Sequence, residues 1–107
     1  MPKYMFHANY TIGPGVQGLV KDGGTGRREA VGKLIQGLGG TMESFYFTFG
    51  SDDVFAIAEL PDDASAAAAA LTVASPGTAT VRTTVLLDPE TVDEAAKKVT
   101  GYRAPGG

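Results

Sequence analysis

The stretch Thr41–Leu60, TMESFYFTFGSDDVFAIAEL, reads as two strands joined by a polar turn, and it decides the fold. From Thr41 to Phe49, Glu43, Phe45, Phe47 and Phe49 fall on one side and Met42, Ser44, Tyr46 and Thr48 on the other, the period of two that a pleated strand imposes. Gly50-Ser51-Asp52-Asp53 carries turn chemistry, and Val54 to Leu60 is strand-like again, so the pair is expected to form a hairpin.

Working outward from the hairpin, Leu38-Gly39-Gly40 ends a helix that runs from about Gly26, with Ala30, Val31, Leu34, Ile35 and Leu38 making its apolar stripe. Gly23-Gly24 is expected to separate it from a shorter helical turn or two around Val16, Leu19 and Val20. Before these, Lys3 to Tyr10 alternates, with Tyr4, Phe6, Ala8 and Tyr10 opposite Lys3, Met5, His7 and Asn9, and reads as the first strand. Beyond the hairpin, Asp62 caps an alanine-rich helix over Ala66–Ala74 that Ser75-Pro76-Gly77 ends. Thr78 to Leu87 is a last strand, and Asp88-Pro89-Glu90 opens a terminal helix to about Val99.

The order strand, helix, strand, strand, helix, strand, plus a C-terminal helix, is the split βαβ arrangement of an α+β, ferredoxin-like fold with a four-stranded antiparallel sheet. Right-handed crossovers put both long helices on one face and the first and third strands at the centre. The other face has no helix of its own. With 107 residues, residues 1–100 are expected to form a single domain and 101–107 a flexible tail. A chain this short leaves much surface exposed, which favours covering the bare face with another copy.

A net charge of -3 with only 9 Lys and Arg residues argues against nucleic acid. The absence of cysteine removes disulfides, thiolate nucleophiles and thiolate metal sites, and a single histidine excludes a His-rich metal site within one chain. No apolar run approaches the ~20 residues of a membrane span, and the N-terminus lacks a signal-like apolar core, so the expected location is cytoplasmic.

Several segments resemble the GYD-domain family of small bacterial proteins. They are Tyr4-Met5-Phe6, Gly23-Gly24 with Arg27-Arg28-Glu29-Ala30, Leu38-Gly39-Gly40, Phe45-Tyr46-Phe47 leading into Gly50-Ser51-Asp52-Asp53, and Pro61-Asp62. In the family's name motif Gly50 and Asp53 fit, while Asp52 stands where the tyrosine is expected. The resemblance implies a relative of the dimeric α/β barrels, in which two sheets close face to face around a pocket, and it brings almost no function with it.

On the uncovered face the alternation collects His7 and Asn9 from the first strand, Tyr46 from the second, and Arg82 and Thr84 from the fourth. Glu59 joins them if it shares a face with Phe55 and Ile57, a matter of strand parity that a one-residue slip reverses. His7, Glu59 and Tyr46 are the candidate catalytic groups, since a histidine beside a carboxylate can act as general acid or base. Asn9, Arg82 and Thr84 are the candidate substrate contacts, Arg82 suiting an anionic group. The bland alternative makes His7 a hydrogen-bonded interface residue and Arg82 and Glu59 an interfacial ion pair. No metal or cofactor is implied; haem on His7 follows only by analogy with the barrels.

Gly23–Arg28 could bind a phosphate or carboxylate but reads better as a flexible turn with Thr25 as a helix cap, and Gly50–Asp53 reads as a solvated turn. Two functional expectations follow. One is a small-molecule binder, with or without acid-base or oxygenase-like chemistry, acting between paired sheets of a dimer or larger homo-oligomer. The other is a non-catalytic regulatory or assembly module whose sheet face only joins subunits.

Overall fold

A computed structural model describes all 107 residues. In chain order it contains β1 (Lys3–Tyr10), α1 (Pro14–Gly37), β2 (Thr41–Phe47), β3 (Val54–Glu59), α2 (Asp63–Ala74), β4 (Ala79–Leu86) and α3 (Pro89–Lys97). The strands form one antiparallel sheet ordered β2-β3-β1-β4, which puts the first and third strands at the centre, as the ferredoxin-like order requires. Tyr4, Ala58, Ile35, Leu60, Ala66 and Ala69 form the buried core, so α1 and α2 both pack on the face of Tyr4 and Ala58.

Each helix forms for local reasons. Asp62 accepts a hydrogen bond from the Ser65 amide at 2.8 Å and caps α2. Its alanines then give a thin side in which Ala66 and Ala69, three apart, bury against the sheet. Gly39 follows α1 with a φ of 84°, the left-handed conformation that stops a helix. Gly40 passes so near β3 that a Cβ there would lie 2.2 Å from the Glu59 carbonyl oxygen, which makes any other residue a clash.

Gly23 separates two helical segments within α1, as expected, because it leaves helical geometry at φ 76° and ψ 166°, although the first segment is longer than a turn or two. Three expectations need correction. Gly23, not Thr25, occupies the break, so Thr25 lies inside the second segment rather than capping it. The second strand stops at Phe47, two residues early, since Phe49 turns to a φ of 47°. That strand also carries a bulge between Met42 and Ser44, which breaks the simple alternation. Met42 packs on the core, and Glu43 reaches Lys3 at 3.1 Å.

The region beyond β4 makes no use of the core. Every residue from Leu87 to Gly107 is exposed. The radius of gyration is 16.9 Å, against about 13 Å for a compact chain of this length. Asp88 caps α3 by accepting from the Thr91 amide at 2.9 Å, so the helix is well started although none of its residues is buried.

Candidate functional site

Register decides which polar groups meet on the bare face. Tyr46 pairs with Phe55, Phe55 with His7, and His7 with Arg82, so these four residues form one row across all four strands. Within that row the Tyr46 and Phe55 rings lie 5.7 Å apart, and Tyr46 stands largely exposed on the edge strand. Met5 and Ile57 form the next row with Ser44 and Thr84. Thr84 is thus on the expected face, one row away from Arg82. Glu59 also has the expected parity, yet it pairs with Lys3 and Thr41, four positions from Phe55 and about 13 Å along the strand. The register does not bring it to His7.

The carboxylate that does meet His7 is Asp52, from the turn read as solvated. That reading is overturned: the Asp52 side chain is only 15% exposed, with its Oδ2 2.6 Å from Arg82 Nη2 and 3.2 Å from His7 Nδ1. Asn9 donates from Nδ2 to Asp52 Oδ1 at 3.2 Å. The hydrogen bond from Arg82 is the main reason that the Asp52 carboxyl is held below its ordinary pKa; the Asn9 bond and the charge of His7 act in the same direction.

The hairpin reaches this far because β1 clamps it. The Asp53 amide donates to Asn9 Oδ1 and to the Ala8 carbonyl, each at 3.0 Å, and Asp53 Oδ2 accepts from the Tyr10 amide at 2.9 Å. Thr48 Oγ1 closes the turn by donating to the Asp52 carbonyl. Phe49, in left-handed backbone, stacks on Phe47 at 5.7 Å and 11°. One adjacent pair of acids thus divides its labour: Asp53 pins the turn to β1, and Asp52 holds the side chains of His7, Asn9 and Arg82.

Alternation could not single out Asp52, which lies outside any strand. The usable signal was the pairing of β1 with β3, because an antiparallel partner brings the turn before Val54 next to Asn9 and Tyr10.

An α+β sheet clothed by helices on one side, with a carboxylate-centred polar cluster on the other, is a ferredoxin-like domain. The chain belongs to the GYD domain family, whose model matches residues 4–96. No curated protein and no solved structure matches it.

Proposed function

We propose that this domain binds a small molecule against its bare sheet face, in a pocket that the same face of a second copy closes, with His7 as the acid–base group. The reading rests on the 3.2 Å approach of Asp52 Oδ2 to His7 Nδ1. With Nδ1 turned to the carboxylate, ring geometry directs Nε2 away from it, free to exchange a proton with a ligand. Arg82, 68% exposed, keeps donors beyond its contact with Asp52 and suits an anionic group on the ligand. Asn9 and Tyr46 flank this position, and Thr84 and Glu59 lie farther along the same face.

Self-association is supported by Met5, Phe55 and Ile57 on a face that no helix covers. The sheet measures roughly 26 Å by 19 Å, or about 500 Å². That is less than the roughly 800 Å² per partner of a standard interface, so the exposed α3, with Val92, Ala95 and Ala96 on one stripe, would supply the difference. The same stripe favours the second reading, an assembly module with no chemistry of its own.

Native mass spectrometry after mild purification separates the two. The binder reading expects a dimer that carries a small-molecule mass, lost in His7→Ala and Arg82→Gln. A dimer with no added mass favours assembly, and a ligand retained equally by both variants contradicts the site.

A further inference from the structure

A cavity of about 420 Å³ lies on the opposite side of the sheet, between its helix-covered face and the two helices α1 and α2. It is partly open to solvent, and 16 of its 23 lining residues are hydrophobic. Its size and lining are those of a small-molecule site rather than a packing defect. The space exists because small residues keep side chains out of it. Gly18 and Ala30 of α1 and Ala69 and Ala70 of α2 all line the cavity, and a Cβ built on Gly18 would meet nothing within 4 Å.

Charge enters the lining at one place, the α1 kink. Asp22 precedes Gly23 and Arg27 follows it, and a single contact of 3.3 Å from Arg27 Nη1 joins them across the kink. A guanidinium held through one nitrogen keeps further donors for a ligand. Tyr10, whose hydroxyl has no hydrogen-bond partner within the chain, also lines the cavity.

We infer that this cavity binds a mostly apolar molecule with one anionic head, such as a medium-chain carboxylate, its tail between α1, α2 and the sheet and its head at Arg27. This site is separate from the His7 cluster and stands whether or not that cluster binds anything.

Calorimetric titration of the full chain with decanoate and with decanol tests the inference. Decanoate binds the wild type. Gly18→Leu, which fills the space with a better helix former, abolishes binding of both ligands while circular dichroism stays unchanged. Ala30→Leu, beyond the kink, provides the same test should Gly18→Leu disturb the helix. Arg27→Gln weakens decanoate about tenfold and leaves decanol unaffected, and His7→Ala alters neither. The inference is overturned if the wild type binds neither ligand, if the filling variants bind as the wild type does, or if Arg27→Gln leaves decanoate binding intact.

Discussion

Asp52 and Arg82, thirty residues apart in the sequence, meet at 2.6 Å on the bare sheet face, and the same carboxylate oxygen faces His7. Because this pairing holds the Asp52 carboxyl below its ordinary value of 3.8, the ionised form is favoured in the folded protein. The stabilisation it contributes is present above that ordinary value and is lost as pH falls through the lower folded value. Asp52→Asn is therefore expected to melt below the wild type at neutral pH, with the gap narrowing below about pH 4. Thermal melts of the two proteins across an acid series check this; a gap independent of pH would contradict it.

The buried Tyr4 hydroxyl donates to Asp63 Oδ1 at 2.6 Å, which ties β1 to the first turn of α2. That bond first, and burial second, push the phenol up to about 12. A raised folded value means that the contribution is complete below the ordinary 10.0 and is lost as pH climbs through about 12. Ultraviolet titration of the four tyrosines should reveal one ionisation near pH 12 that Tyr4→Phe removes.

Leu60, just before α2, is 0% exposed, whereas Leu71, within α2, is 70% exposed. Leu60→Ala empties part of a closed core and should cost about 2–5 kcal/mol. Leu71→Ala should change stability by no more than about 0.5 kcal/mol. Urea unfolding gives both values, and equal effects would mean that the core is not where Tyr4, Ile35 and Leu60 place it.

These sites differ in how far the sequence reveals them. Strand and helix limits follow from neighbours: the alternation of Lys3–Tyr10, the capping Asp62 and the left-handed Gly39 all act within a few residues, and each stands where it was expected. The parity of β3 was left open by the sequence and is set by the register, which turns Ala56 and Ala58 to the helices and so puts Phe55, Ile57 and Glu59 on the bare face. What escaped the sequence depends on contacts between distant segments. Choosing between Glu59 and Asp52 as the partner of His7 requires the cross-strand register and the clamp of Asp53 on Asn9 and Tyr10, and neither is a property of the hairpin by itself. The bulge at Glu43 has no glycine to announce it, and the cavity beneath α1 reflects how far two helices stand from a sheet, which periodicity does not encode.

The central claim is that a second molecule shields the sheet face carrying Met5, His7, Phe55 and Ile57. Sedimentation velocity at micromolar concentration tests it most directly, comparing the wild type with Ile57→Asp, which sets a charge in the middle of that face. The account predicts a wild-type dimer and a folded Ile57→Asp monomer. A wild type that sediments as a monomer, or an Ile57→Asp variant that assembles as the wild type does, would contradict it.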